Sequence, residues 1–498
     1  MANYTSIGSY DATAMYPQFR GLLQYGDGIN YDPRYATDAC NVETPGGVLQ
    51  PCAECQLLAP ELPHPIETLA LLHRRHQEAD RDLLVAASGN RLYAMVAGGT
   101  EWTLLGMPEG LAEFQSSVWS WVSYEINPEG SKAPVDVLLL SNALDGMFMV
   151  RGDDLTVSSV PSPKKFGVIA RYAERIWGGA IDGDPDMLVY SAPYDPTNWE
   201  ADVEHPEDGA GDILQPSWDG DSFTALSAFG SQLIAFKRTR VWRILGTDPG
   251  EYAFKEQYGG GAPYAQTIAV DAERIFMLTA QGVALYDGLS VNPYQQEYAQ
   301  EVFRRMNKAA LHQATACLWD KSYYCAIPLD GSTVNNAVLI FNTEDGTWLL
   351  RDDVSVESFL PTENELYFTS THTPGRVWLW HKDSWETGEP TPNATRWVSP
   401  WNDLGHKKLI KGGFEVYFLA EVKDQPANLT FSIQTEKKTK TKHYSVTPVA
   451  DAAKSAKQKR LHFGGNGRRF RLIIESAAGE PVWRLIGGVM VVAEIDSD

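Results

Sequence analysis

Short runs of alternating apolar and polar residues, separated by polar turns, recur along most of the chain, the pattern of successive β-hairpins. The unit Ile169-Ala-Arg-Tyr-Ala-Glu-Arg-Ile-Trp177 returns ninety-nine residues later as Ile268-Ala-Val-Asp-Ala-Glu-Arg-Ile-Phe276, so the protein is built from repeats. The second strand of each unit is expected to begin near Leu92, Met147, Ile176, Leu233, Ile275, Tyr323 and Leu366, at intervals of 29 to 57 residues that average about 46. A propeller blade of four short strands takes roughly 40–50 residues. A Trp followed two positions on by an apolar residue, at Trp102, Trp242, Trp348 and Trp378, is a further echo suited to packing between blades. Closing the blades into a ring also protects sheet edges that would otherwise stay open. The pattern predicts an all-β fold, an irregular β-propeller of about 6–7 blades over residues 63–388. Only Gln295 to Gln313, with Tyr298, Val302, Phe303, Met306 and Ala310 three and four apart, predicts a helix, placed outside a blade.

The flanks differ in texture. Residues 1–62 read as short apolar pieces between turn signals, expected to form an extended N-terminal arm that ends at the proline-rich Pro60-Glu-Leu-Pro-His-Pro65. Beyond Thr387-Gly-Glu-Pro-Thr-Pro-Asn393, strands are expected at Gly412–Leu419, Leu429–Gln434, His443–Val449, Lys459–Phe463, Phe470–Glu475 and Trp483–Glu494. Their length and even spacing predict a C-terminal β-sandwich over residues 389–498. Gly464-Gly-Asn-Gly467 is expected to join two adjacent strands of it as a hairpin turn.

Composition adds a division of charge. The net charge of −22 is the sum of +6 from Arg396 onward and −28 before it. The positive charge gathers at Lys437, Lys438, Lys440, Lys442, Lys457, Lys459, Arg460, Arg468 and Arg469. Such runs are commonly solvated strand faces, yet here they also suit docking on the acidic part of a neighbouring copy. Aromatic interleaving for single-stranded nucleic acid is absent from the cluster. No stretch approaches eighteen apolar residues and no basic-then-apolar leader opens the chain, so neither a membrane span nor a secretory signal is expected. Five cysteines, an odd and small number, argue against a disulfide framework.

Candidate chemistry is sparse. Cys52 and Cys55 have zinc-knuckle spacing, with Cys40 and His64 as further ligands to consider, but no second pair follows. Asp182, Asp184 and Asp186 imitate the start of a calcium loop whose sixth and twelfth positions, Met187 and Pro193, break the pattern. Gly259-Gly-Gly261 lacks the lysine of a phosphate loop, and Arg151-Gly-Asp153 is a match short enough for chance. Asn342-Thr-Glu-Asp345-Gly-Thr-Trp348 resembles the Asp-box turn of sialidase-like propellers, a structural turn that points to a propeller. No catalytic residue, cofactor or metal is therefore expected, and the basic run is the candidate subunit interface.

Several phrases are familiar together: Arg175-Ile-Trp177, Met187-Leu-Val-Tyr190 through Trp199, Ser227-Ala-Phe-Gly-Ser-Gln-Leu-Ile234 and Arg240-Val-Trp-Arg-Ile-Leu245, with Phe19-Arg-Gly-Leu and Tyr25-Gly-Asp-Gly-Ile-Asn ahead of them. They resemble the β-propeller tail-nozzle proteins of short-tailed bacteriophages, also called packaged-DNA stabilisation or tail tubular B proteins, over Tyr10 to Glu386. The resemblance implies a non-enzymatic virion protein, assembled in the host bacterial cytoplasm into a homo-hexameric ring below the head-tail connector. Its implied partners are further copies of itself, the connector or adaptor protein, tail fibre or spike proteins, and double-stranded DNA passing through the exit channel. An acidic wall suits such a conduit, because a basic one would hold DNA through counterion release. No stretch matches the family's tip insertions, which leaves tail nozzle and tail hub both open. The competing expectation is a carbohydrate-binding or sialidase-like propeller that recognises a host surface.

Overall fold

Strands form throughout the chain where β-branched, aliphatic and aromatic residues gather, as continuous buried runs such as Leu83–Ser88 or in alternation with polar ones, and the molecule is all-β with a β-propeller architecture. The computed structural model describes residues 10–496 apart from 27, 59, 77–81, 128–132, 215–219 and 449–457, so Lys457 of the basic run lies outside the described residues.

Seven antiparallel sheet units follow one another along the chain. The first comprises Ile66–Leu72, Leu83–Ser88, Arg91–Val96 and Thr103–Leu104, and the second Ser120–Ile126, Val135–Asn142, Gly146–Arg151 and Val157–Val160. The second strands of the seven units begin at Leu83, Val135, Arg175, Gln232, Ile275, Ser322 and Leu366, between 40 and 57 residues apart. Leu92 and Met147, expected in second strands, lie in the third strands of their sheets. That slip by one strand produced the short 29-residue interval, because in these two sheets the third strand is nearly as apolar as the second. The repeated Ala-Glu-Arg-Ile phrase is the turn between first and second strands of the third and fifth sheets. The Trp echo has no common position: Trp242 and Trp378 lie in third strands, Trp348 in a fourth, and Trp102 just before one.

Each pair of consecutive sheets shares an apolar core. Ala70, Leu83 and Leu92 of the first sheet meet Leu138 of the second and Phe114 and Trp119 of the segment that leads into it. Leu360, Tyr367 and Val377 of the seventh meet Ile66, Leu71 and Leu84 of the first, which closes the ring. The seventh sheet, Ser358–Pro361, Leu366–Ser370 and Thr373–Leu379, takes its fourth strand from far upstream, where Leu57 of Gln56–Leu58 registers with Trp378.

The expected arm at 1–62 is, in its described residues, a strap threaded through the fold. Tyr10–Tyr16 pairs along Trp483–Asp496. Asp38–Cys40 lies parallel to Trp348–Arg351 of the sixth sheet and antiparallel to Thr395–Val398, so one nine-stranded sheet crosses the expected boundary at 388/389. Gly21 passes so close to the sixth sheet that a Cβ would sit 2.0 Å from the Trp348 carbonyl oxygen. Phe19 packs edge-on to Trp397, with ring centroids 5.0 Å apart. The sequence pattern read these pieces as an arm because each is too short to show a period.

Two C-terminal sheets face each other. One holds Tyr10–Tyr16, Trp483–Asp496, Ile410–Val422 and Lys459–Gly467; the other continues from Thr395–Val398 through Phe470–Ser476 and Ala427–Thr435 to Thr439–Val446. Phe418 of one stacks on Phe431 of the other at 4.4 Å between centroids. The glycine-rich 464–467 segment is not a hairpin: it extends the strand Lys459–Gly467, and the chain then crosses to the opposite sheet at Phe470. The expected helix shrinks to Gln300–Arg305, and its Val302 and Phe303 enter the core shared by the fifth and sixth sheets, the strap and the C-terminal sheets. Extended chain at Met306 and a single turn at Leu311–Gln313 satisfy the rest of the apolar spacing.

At the junction of strap, sixth sheet and C-terminal sheets lies a buried ion pair. Arg351 Nη2 and Nε donate to Asp353 Oδ2 and Oδ1 at 2.6 and 2.9 Å, and both side chains are 2% exposed. Nη2 also reaches the Ala53 carbonyl of the strap at 3.0 Å, while Thr391 Oγ1 donates to Asp353 at 2.7 Å. The guanidinium lies over Trp380, 4.5 Å from its ring centre. Burial pushes the Asp353 carboxyl up, and Arg351 more than offsets this, holding it below the usual range. Removing one partner of such a pair leaves an uncompensated charge at a cost of about 3–5 kcal/mol. Arg351→Met is therefore expected to lower stability by about that amount in chemical denaturation, whereas breaking the exposed pair Lys321–Glu344 is expected to change it little.

Candidate functional site: the basic edge of the C-terminal sheets

The predicted basic residues gather where two outer strands meet. Thr439–Val446 is the last strand of one C-terminal sheet and Lys459–Gly467 the last strand of the other, and the two are in contact. Lys440 registers with Ile433, Lys442 with Phe431 and Lys459 with Phe418, all core positions. Cross-strand partners share a face, so these three lysines point toward the seam between the sheets rather than out from their flat sides. Lys442 Nζ lies over the Phe463 ring at 6.0 Å. Apolar stems over the core margin with ammonium heads in water satisfy both environments, and inward-pointing charge also guards an open edge against pairing. Lys438, Lys440, Lys442 and Lys459 make no ion pair among the described residues, whereas Arg460 turns outward to Glu415 at 2.7 Å. Sequence spacing showed the lysines; which face they occupy depends on register and was not readable from it.

Lys437, Arg468 and Arg469 lie on the wall of a cleft of about 620 Å³, with Asn30 of the strap, Asp403 and Glu436. The two carboxylates are occupied. Asp403, buried, accepts from Asn30 Nδ2 at 2.9 Å and from the Gly405 amide at 2.8 Å. Glu436 accepts from the Arg468 amide at 2.7 Å; burial raises its carboxyl, and the amides of Arg468 and Arg469 outweigh this to hold it below its usual range. Beneath the cleft Lys411 is fully buried, donating to the carbonyls of His406, of Leu409 at 2.9 Å and of Arg468 at 2.6 Å, and burial pushes its ammonium down. Arg469 and Arg471 each stack on Trp401 at 4.8 Å from its ring centre. The surface that results is a rigid cationic ledge with its own carboxylates engaged, suited to carboxylate-bearing partners. Lys411 and Trp401 were not singled out by sequence reasoning; the isolated Lys411 in an apolar strand was the only available signal.

The opposite charge has an equally defined surface. Between Met187–Tyr190 and Gly211–Leu214 of the third sheet, residues 200–208 are exposed and carry Glu200, Asp202, Glu204, Glu207 and Asp208. Arg175, 1% exposed, holds this loop from below through the carbonyls of Ser191 at 2.9 Å, Gly209 at 2.5 Å and Glu207. Its counterpart in the second copy of the repeat, Arg274, instead pairs with Asp271 at 3.4 Å. Backbone amides of Glu204 and His205 hold the Asp202 carboxyl below its usual range, with the His205 contribution first.

The other candidate motifs are consumed structurally. Asn342 Oδ1 accepts from the amides of Glu344 and Asp345 at 2.9 and 3.2 Å, and Asp345 Oδ1 from Thr347 Oγ1 at 2.6 Å, so the Asp-box-like turn binds itself. Asp184 pairs with Lys164 at 2.9 Å and Asp186 with buried Lys237. Arg151 is bound to Asp153 at 2.6 Å within its own Arg-Gly-Asp. His64 packs on Gly89 of the first sheet, and Cys40, Cys52, Cys55 and His64 form no ligand group among the described residues.

No known family profile matches the chain, and no curated protein sequence matches it. Among solved structures it is similar to the Pan2 WD40 domain of Neurospora crassa, at 11% identity over 64% of this chain and 90% of that one, TM-score 0.35. YCF48 from Cyanidioschyzon merolae aligns at 11% identity over 65% and 98%, TM-score 0.39. The β-propeller domain of the Trilobed protease from Pyrococcus furiosus aligns at 11% identity over 63% and 96%, TM-score 0.33. Likeness at this level says nothing of function.

The thiols carry a direct test. Burial raises all five, Cys55 to about 11 and Cys52 well above the ordinary value. Because the thiolate is the reactive form, a thiol reagent at pH 8 is expected to label none of them until denaturant is added. Rapid labelling of Cys52 or Cys55 in the folded protein would contradict the burial described.

Proposed function

We propose that this protein is a structural subunit of a bacteriophage tail, assembling into a ring, nozzle or hub, below the head-tail connector around the DNA exit channel. The seven sheets serve as blades of a seven-bladed propeller, and the two facing C-terminal sheets as a β-sandwich fused to it by the strap. The observation that carries the reading is the pairing of an unengaged cationic edge with an anionic loop on one body. A head-to-tail contact between unlike patches generates a closed ring when the rotation closes, and opposite charge favours that register over others. The tail-nozzle resemblance supplies the expected number, six, and the expected neighbours: the connector, fibre or spike proteins, and passing duplex DNA. Charge-charge contacts of this kind weaken as salt shortens the Debye length to about 3 Å at 1 M.

Electron microscopy and mass photometry of the purified full chain test this. Closed rings of about six copies are expected at low salt, dissociating at 1 M salt and failing to form in Lys440→Glu/Lys442→Glu, with reassembly when Glu204→Lys/Asp208→Lys is supplied as the complementary partner. Monomers at every salt concentration that bind host glycans on an array would overturn the ring in favour of a carbohydrate-binding propeller.

A further inference from the structure

A second cluster lies at the rim between the first and second sheets. Glu125, near the end of strand Ser120–Ile126, registers directly opposite Asp136, at the start of Val135–Asn142. Two carboxylates facing each other across a ladder repel unless something between them compensates. His76, in the segment after strand Ile66–Leu72, reaches over from the first sheet. Its amide donates to Asp136 Oδ2 at 2.9 Å, and its Nδ1 lies 3.1 Å from Oδ1. One ligating atom from each of His76, Glu125 and Asp136 falls within 4.8 Å of the others.

The Asp136 carboxylate distinguishes this group from ordinary surface acids. Its side chain is 7% exposed, yet no lysine or arginine pairs with it among the described residues. The comparably buried Asp353 has Arg351, and Asp186 has Lys237. A buried carboxylate is costly without compensation, and the His76 ring is the one side chain that pairs with Asp136 among the described residues. The Glu125 carboxylate, for its part, makes no hydrogen bond or ion pair among the described residues. A buried carboxylate, an unengaged carboxylate opposite it and a ring nitrogen beside them make a three-ligand nitrogen-oxygen set.

We infer that His76, Glu125 and Asp136 bind a divalent transition-metal cation, zinc being the representative ion, with water completing the shell. One imidazole with two carboxylates suits zinc or manganese, whereas calcium prefers six to eight oxygens. Tetrahedral zinc with ligands at 2.0–2.1 Å places them about 3.3 Å apart, so the set must contract by up to about 1.5 Å, which the exposed Glu125 can supply by changing rotamer. The bound ion cross-ties the segment after the first strand of the first sheet to the second sheet.

Isothermal titration of the full chain with zinc chloride at pH 7.5 is the test, with manganese and calcium chlorides as further arms. One equivalent is expected to bind, at least tenfold more weakly in Glu125→Gln and in His76→Ala, with Cys55→Ser unchanged. Glu125→Gln keeps Asp136 and its contacts, so a folded variant with lost affinity separates binding from stability. Absence of saturable zinc binding, equal affinity in Glu125→Gln, loss in Cys55→Ser, or a calcium preference would each overturn the assignment.

Discussion

A chain that builds a ring of sheets must dispose of two problems, the last sheet's missing strand and the exposed flank of whichever sheet meets the next domain. Here one strap addresses both, and it is held at its tightest point by Arg351 and Asp353. The pair lies where no water can solvate it, so each charge depends on the other and on groups brought by three separate segments: Ala53 of the strap, Thr391 of the linker and Trp380 of the seventh sheet. Asn41 makes the same junction from the polar side, its side chain donating to Asp352 at 2.6 Å and to the Ala394 carbonyl at 2.9 Å, and accepting from the Asp352 amide. Burying charge in this way is not by itself a source of stability. What it enforces is register: the strap must arrive in one place, or a guanidinium and a carboxylate are left stranded.

From that constraint the architecture follows outward. With Asp38–Cys40 seated, the hydrogen-bonded sheet runs from the sixth unit into the C-terminal pair, and the core around Trp348, Trp397 and Phe418 is common to both. With Gln56–Leu58 seated, the seventh sheet is complete and packs on the first. The basic edge and the acidic loop are thereby fixed on one frame, as the proposed contact between copies requires.

The repeat was legible in the sequence because each unit has local strands a few residues apart, and the Ala-Glu-Arg-Ile turn is a local structure. The strap was not legible, since Cys40 pairs with Leu350 and Arg396, and Leu57 with Trp378, more than 300 residues away. Short segments whose partners are that distant carry no periodicity of their own. The long C-terminal strands were found within a few residues of their observed limits, but the glycine-rich 464–467 segment misled because a sheet-to-sheet crossing uses the same residues as a turn. At the candidate interface the basic residues were visible as a run, while the inward placement of Lys440, Lys442 and Lys459 emerges only from pairing with Ile433, Phe431 and Phe418.

Strap and buried pair make the propeller and the C-terminal sheets one mechanical body. Differential scanning calorimetry of the full chain at high salt probes this. One transition is expected, with calorimetric and van't Hoff enthalpies that agree, as for a single cooperative unit. Two resolved transitions, one for the ring of sheets and one for the C-terminal pair, would contradict it.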